Sequence, residues 1–347
     1  MKYTARIGTF FGIPVRAHVT FPLILIVFGA GAWIDGSWQD GLRAVLLVLT
    51  IFACVVLHEF GHSLQVQRYG ITVRDIVLLP IGGMARAESI PEKPRQEIIV
   101  AISGPLVNFA LASIFLMMLF FKDAPVDLEN DFVANLFAIN IVLGTFNLIP
   151  AYPMDGGRIL RGILASRMPY LRATRYARNI GQIIAILFAI VAFLDSRFVM
   201  LSVIAIFVFF GAISEERMIR TKFALRGKTV GDFLPESVPL LDSATLVEDA
   251  APHFKDDRVI ALPVAGGAGK IAGVVSRTDI AAAMRDGNGR LPLSHIARTG
   301  FPLMAAETPA LQGLHLLRSR RQRFGGVIRD GVFVGLVSVD ALTASAG

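Results

Sequence analysis

The sequence predicts an α-helical polytopic membrane domain of six transmembrane helices followed by a soluble α/β module. Three observations carry that expectation. Hydrophobic residues make up 54% of the 347 residues and charged residues only 18%, with a mean hydropathy of +0.60, which is far too apolar for an ordinary soluble enzyme. The apolarity is uneven, because long runs poor in charge fill the first two thirds and mixed sequence fills the remainder. That remainder also contains an internal repeat. The domain boundary is expected at 222/223.

The first eighteen residues hold Lys2, Arg6, Arg16 and His18 and lead into an apolar run without a convincing A-x-A cleavage pattern. The run is therefore expected to remain as a first span. A span needs about 20 mostly apolar residues, which places spans at 19–34, 42–64, 97–121, 132–150, 180–195 and 198–214. Asp195-Ser196-Arg197 alone separates the last two, a tight turn between antiparallel helices. The single cysteine, Cys54, lies in an apolar run, so no intramolecular disulfide is possible. It reads as a small buried hydrophobe standing one helical turn before His58.

Loop charge sets the orientation. Arg68, Arg74, Arg86, Lys93 and Arg95 lie between spans two and three, and Arg158, Arg161, Arg167, Arg172, Arg175 and Arg178 between spans four and five. Such loops are cytoplasmic. Asp35 and Asp40, and Lys122 with Asp123, Asp127, Glu129 and Asp131, mark outward-facing turns. A multi-pass protein of the cell membrane with both termini and the soluble module in the cytoplasm satisfies every loop. The net charge of +7 is then a topology signal, and no nucleic-acid partner is expected.

Beyond Lys222 the sequence alternates short β-rich runs such as "KIAGVVS" with helical runs such as "LVEDAAPHF". Residues 245–264 align with 308–327, and 273–276 with 335–338, with one residue fewer in between. The unit reads as helix, strand, turn, strand, helix, twice.

The chemistry is concentrated in "HEFGH" at 58–62. Residues four apart on a helix project from one face, so His58 and His62 can fill two positions of a tetrahedral metal site, with zinc the expected ion. Glu59 stands beside that face, placed to take a proton from water activated there, which is the chemistry of metal-assisted peptide hydrolysis. Ionisable groups at membrane depth cost about 2.5 to 3.5 kcal/mol each on insertion scales, so three of them in one apolar run demand a compensating partner. A catalytic zinc generally has three protein ligands. Of six histidines, only His18 lies elsewhere in the membrane half, and carboxylates near spans are few. Asp155, in "FNLIPAYPMDGGRIL", is the best third candidate. Pro150 and Pro153 cannot continue a helix and Gly156-Gly157 relax the backbone, so Asp155 is expected on a broken segment. Spans two and four run in the same direction, which brings His58, His62 and Asp155 to one depth near the cytoplasmic face.

These residues resemble the site-2 protease family of intramembrane metalloproteases. The resemblance rests on "HEFGH", on "NLIPAYPMDGG" at 147–157 and, secondarily, on "LLPIGGMAR" and "SGPLVNF", and covers roughly residues 1–215. It implies one zinc ion held by His58, His62 and Asp155, Glu59 as the catalytic acid/base, and Asn147 as a substrate-binding residue. In that context "PIGGMAR", with Gly82 and Gly83, is expected to form a hairpin or re-entrant loop whose open edge could pair with an extended substrate, with an ordinary turn as the alternative. No PDZ domain fits between the two halves of the site.

The repeats resemble a pair of CBS modules, at about 228–285 and 291–346, within residues 223–347. The first copy matches a nucleotide-binding pattern through Ser276 and Asp279; the second has its acid, Asp340, one residue early, so at most one adenine nucleotide is expected. The implied partners are a single-span membrane protein as substrate, that nucleotide, and a second copy of the chain through the CBS modules. Asn108 in "SGPLVNF" reads as a buried amide that cross-links helices. "RSRRQRF" at 318–324 reads as a solvated helix end, with nucleotide phosphate as an alternative. The rival reading is a CBS-regulated transporter or channel with a cation-binding His/Asp site. Glu59 speaks against it, because a site that only binds needs no acid between two histidines.

Overall fold

The computed structural model describes residues 4–80, 82–87, 91–122, 131–235, 239–254, 259–266 and 271–344. Asp123, Asp127 and Glu129, used above to orient an outward-facing turn, lie outside these residues. The chain divides into two compact units, Met1–Glu216 and Arg217–Gly347.

The first unit begins with a hairpin where the sequence reading had only a lead-in to span one. Strands β1 (Thr4–Phe10) and β2 (Ile13–His18) pair antiparallel. Phe11 and Gly12 between them both have positive φ, 52° and 76°, as a two-residue type I′ turn requires. Helices α1 (Phe21–Asp35) and α2 (Trp38–Arg68) follow. Ser37 caps α2 in a reciprocal box with Asp40. Strand β3 (Val73–Leu79) then returns to pair parallel with β2, and β4 (Gly82–Ala87) closes a hairpin on β3. The four-stranded sheet has the order β1-β2-β3-β4, so β4 is an edge. Buried Ile13, Val15 and Ile76 of this sheet pack with Phe60 and Val66 of α2.

Helices α3 (Pro94–Phe120), α4 (Phe132–Asn147), α5 (Asp155–Ala165), α6 (Tyr170–Leu194) and α7 (Met200–Ala224) complete the helical part. Among the described residues three helices, α2, α3 and α6, are long and apolar enough to cross a membrane, against the six spans expected. With 15 and 16 residues, α1 and α4 fall short of about 20. In α7, Glu215, Glu216 and Arg217 interrupt the apolar run.

Arg161, one of the basic residues between the fourth and fifth expected spans, has a structural role beyond its charge. It is fully buried on α5, with its Nε donating to Glu97 Oε1 of α3 at 2.6 Å and its Nη1 to Glu215 Oε1 of α7 at 3.2 Å. Its guanidinium also lies over the rings of Tyr152 and Tyr170, 5.3 and 5.0 Å from the centroids. One side chain thereby ties the helix that begins at Asp155 to three others. Arg161→Met leaves the buried Glu97 carboxylate and the partly buried Glu215 carboxylate without their cation and is expected to destabilise the protein by about 3–5 kcal/mol. Thermal unfolding in detergent checks this, and a double variant with Glu97→Gln should recover part of the loss.

The second unit contains the repeat as two three-stranded sheets of the same design. In one, β5 (Leu241–Asp242) pairs parallel with β6 (Ala261–Ala265), which pairs antiparallel with β7 (Ile271–Ser276). Helices α8 (Val247–Ala250) and α9 (Arg277–Arg285) accompany it. In the other, β8 (Leu303–Ala305), β9 (Phe324–Arg329) and β10 (Val332–Ser338) repeat the pattern, with α10 (Ala310–Ser319) and α11 (Val339–Ala344). The copies exchange their leading turns. Val230 packs into the core of the second copy with Leu314 and Val327, and Leu293 into that of the first with Val264 and Val275.

Candidate metal centre

His58 and His62 occupy one face of α2, and their rings meet edge to face. Asp155 reaches them because α4 stops at Asn147, ahead of Pro150 and Pro153, and the chain restarts as α5 at Asp155 itself. The two following glycines permit that turn. A Cβ on Gly156 would strike the carbonyl oxygens of Leu148 and Ile149, and one on Gly157 would lie 2.7 Å from the Ala151 carbonyl carbon and the Tyr152 nitrogen. Hence "DGG" presses against the loop that precedes it.

Three donor atoms converge. His58 Nε2 and His62 Nε2 are 3.0 Å apart, and Asp155 Oδ2 is 3.3 and 3.1 Å from them respectively. His58 and Asp155 are each only 7% exposed. The Nδ1 atoms are committed elsewhere: His62 Nδ1 lies 2.7 Å from the Val100 carbonyl and His58 Nδ1 2.5 Å from Asn108 Oδ1. Both oxygens only accept, so each Nδ1 carries the proton and, in the neutral rings, each Nε2 presents a lone pair. Two lone pairs and a carboxylate then face one another with no proton among them. Such a set is stable around a cation, and ligands about 2.0–2.1 Å from a tetrahedral zinc stand about 3.3 Å apart, close to the separations here. The residues fit zinc.

The helix packing leaves the space. Gly61 of α2 meets α3, where a Cβ would come within 2.6 Å of the Ser103 carbonyl oxygen. Gly104 of α3 faces the imidazoles, and a Cβ there would collide with His62 Nε2 and lie 2.7 Å from His58 Nε2. The sequence reading had singled out "SGPLVNF" without assigning this glycine. The missed signal was a small residue four positions before a buried Asn, on one helix face.

Glu59 sits off the three-atom cluster and against β4. Its Oε2 accepts from the Ala85 N–H at 3.2 Å, and its Cγ lies where Gly83 lacks a side chain, 2.9 Å from an added Cβ. Gly82 and Gly83 therefore stand on the strand that borders Glu59. Asn147, at the end of α4, donates its amide to the Leu143 carbonyl of its own helix at 3.0 Å. His18 ends β2, its Nδ1 2.7 Å from Thr20 Oγ1. Cys54 is buried and free, with its Sγ 3.5 Å from Asn140 Nδ2.

In the second unit Ser276 caps α9 in a box with Asp279, whose Oδ2 accepts from the Ser276 N–H at 3.0 Å and hydroxyl at 2.5 Å, while its Oδ1 pairs with Arg298. Next to this cap lies a cavity of about 470 Å³ whose walls include Ser276, Thr278, Arg298, Phe301, Arg321 and Arg323. Two arginines of "RSRRQRF" thus face a cavity. Asp340 also lines it, 3.6 Å from Arg323.

The sequence profile of peptidase family M50 matches residues 46–128 and 129–188, and that of the CBS domain residues 230–286. A zinc metalloprotease of Methanocaldococcus jannaschii is 34% identical over 277 residues, 79% of this chain and 78% of the relative. Stage IV sporulation protein FB of Bacillus subtilis is 29% identical over 142 residues, 40% of this chain and 46% of that one. Among solved structures, a site-2 protease from Methanocaldococcus jannaschii aligns with 62% of this chain and 95% of its own, at a TM-score of 0.47 and 39% identity. Identity at the level of the first relative, across more than three quarters of both chains, makes this protein a member of peptidase family M50, the site-2 protease family of zinc metalloproteases, with a CBS domain in its C-terminal part.

Proposed function

We propose that the chain is an intramembrane zinc endopeptidase that cleaves a single-span membrane protein in or beside its transmembrane segment, near the cytoplasmic face. The observation that carries this reading is the convergence of His58 Nε2, His62 Nε2 and Asp155 Oδ2 within 3.3 Å of one another, with both Nδ1 atoms committed to acceptors. His58, His62 and Asp155 hold the ion. Zinc, when bound, supplies Lewis acidity that lowers the pKa of water and polarises a peptide carbonyl. Glu59 accepts the proton as water attacks and returns it to the departing amine. Its hydrogen bond to Ala85 keeps the carboxylate at the rim of the centre.

Gly82 and Gly83 lie on an edge strand, which suits pairing with an unwound substrate segment. Asn147 is read as a further contact to substrate backbone. All six apolar helices are read as embedded, with both termini and the CBS module cytoplasmic. Exposed Leu23, Ile26 and Phe28 on α1 and Val203, Phe207 and Phe210 on α7 support that for the shorter or interrupted helices.

The test is cleavage of single-span substrates by the purified protein in lipid. Chelation is expected to abolish cleavage and added zinc to restore it; cleavage indifferent to chelator removes the proposal. A cation-binding transporter has no use for the proton acceptor at position 59.

For the CBS pair, the aromatic and guanidinium walls of the 470 Å³ cavity suit an adenine nucleotide, with Ser276 and Asp279 at its edge. Pairing of two chains through this module belongs to the same proposal. ATP or AMP is expected to bind the full-length protein in calorimetry. Arg298→Ala, which removes one charged donor worth about 1.5–3 kcal/mol, should weaken binding about 10- to 100-fold. Absence of any nucleotide heat from the wild type removes this part.

A further inference from the structure

The two metal-site histidines are oriented by different means. His62 Nδ1 faces a backbone carbonyl, that of Val100, which cannot turn around. His58 Nδ1 faces the side chain of Asn108, an amide that presents an acceptor or a donor according to which way it is turned. With its nitrogen toward His58, Asn108 would force the proton onto Nε2 and leave no lone pair for a metal. Something must hold the amide.

The structure assigns that task to Asn140 of α4. Its Nδ2 lies 2.9 Å from the Leu136 carbonyl, which can only accept, so the nitrogen must point there. The oxygen is left facing Asn108 at 2.9 Å and must be met by Asn108 Nδ2. Asn108 Oδ1 is then directed at His58, whose Nδ1 has to carry the proton, and the lone pair falls on Nε2. Each link admits one orientation once the preceding one is set. Both amides are fully buried, so water offers neither an alternative partner. Helices α3 and α4 come close enough for this relay beside Gly144, where a Cβ would lie 3.0 Å from the Phe109 ring and 3.4 Å from Asn108 Cβ. Asn140 is thus a positioning residue that fixes the His58 tautomer without touching the metal site. This rests on His58 being a zinc ligand.

The test is zinc affinity of the full-length protein in detergent, measured by competition with a chromogenic chelator, alongside its melting temperature. Asn140→Leu keeps the branching of the side chain but removes both polar atoms, which frees Asn108 to turn, and is expected to weaken zinc binding about 10- to 100-fold. The same substitution is then made on Asn108→Asp, where both carboxylate oxygens accept and orientation no longer matters. There it should cost far less affinity than in the wild type. Equal losses in the two backgrounds reduce Asn140 to a packing residue and overturn the inference, as does unchanged affinity in Asn140→Leu. If Asn140→Leu does not fold, Asn140→Ala, which suits a helix, takes its place in both backgrounds with the same outcomes. Failure of the wild type to bind zinc strikes the proposed metal site instead, so the two failures are distinguishable.

Discussion

Glu59→Gln is expected to lower turnover of a single-span substrate by about two to four orders of magnitude while the protein keeps its zinc. The argument is one of geometry followed by chemistry. Glu59 is not among the three atoms that converge, which belong to His58, His62 and Asp155, so exchanging its oxygen for nitrogen removes no ligand. The side chain is also held in place from outside the cluster. A glutamine oxygen can still accept from the Ala85 N–H that now meets Glu59 Oε2 at 3.2 Å, and the space beside Gly83 still admits its stem. What disappears is the capacity to accept a proton and return it. Turnover and zinc content measured on one preparation check both halves. Zinc lost together with activity would make Glu59 a structural residue, and activity retained would remove it from the chemistry.

Gly104→Ala is expected to abolish cleavage by disturbing a site that residue 104 does not belong to. The added methyl would collide with His62 Nε2 and stand 2.7 Å from His58 Nε2. Neither imidazole can yield easily, since each is tethered through Nδ1, to Val100 and to Asn108. Helix α3 cannot readily recede either, because it packs on α2 at Gly61, where the Ser103 carbonyl fills the space of a side chain. Displacement of about 1 Å at a reacting centre costs about 10²-fold in rate, and the ligands themselves are displaced here. Zinc content should fall with activity, unlike in Glu59→Gln. Gly31→Ala in α1, where nothing lies within 4 Å of the new methyl, serves as the control and should leave both unchanged. Normal zinc content in Gly104→Ala would show that the rings tolerate the intrusion.

Several features could be read directly from the chain. The spacing of His58 and His62 gives one helical face by local geometry alone, and the repeat was visible as recurring residues. The N-terminal hairpin was legible but missed: Phe11-Gly12 between two alternating segments is a two-residue turn, and the neighbouring apolar run drew the reading toward a span. The burial of Arg161 was not legible, for a different reason. A basic residue among other basic residues looks like part of a cytoplasmic loop, and only the approach of Glu97, 64 positions away, makes it a buried cation.

Composition and short-range pattern are enough to say that the chain is largely apolar, that it carries a two-histidine helix with an adjacent acid, and that a duplicated α/β module follows. These are properties of composition or of residues within one helical turn or one repeat. The residues around Pro150 and Pro153 also pointed to Asp155 as the third partner of those histidines, but its contact with them, and the further polar groups that join, come from tertiary packing. Asp155 lies 93 positions from His62 and Asn108 lies 50 from His58, and Asn140 enters from a third helix. Within an apolar bundle the face toward lipid and the face toward protein are equally hydrophobic, so periodicity does not say which way a helix is turned. Close approach at small residues settles that question. Gly61, Gly104 and Gly144 let three helices come near enough for His58, Asn108 and Asn140 to join.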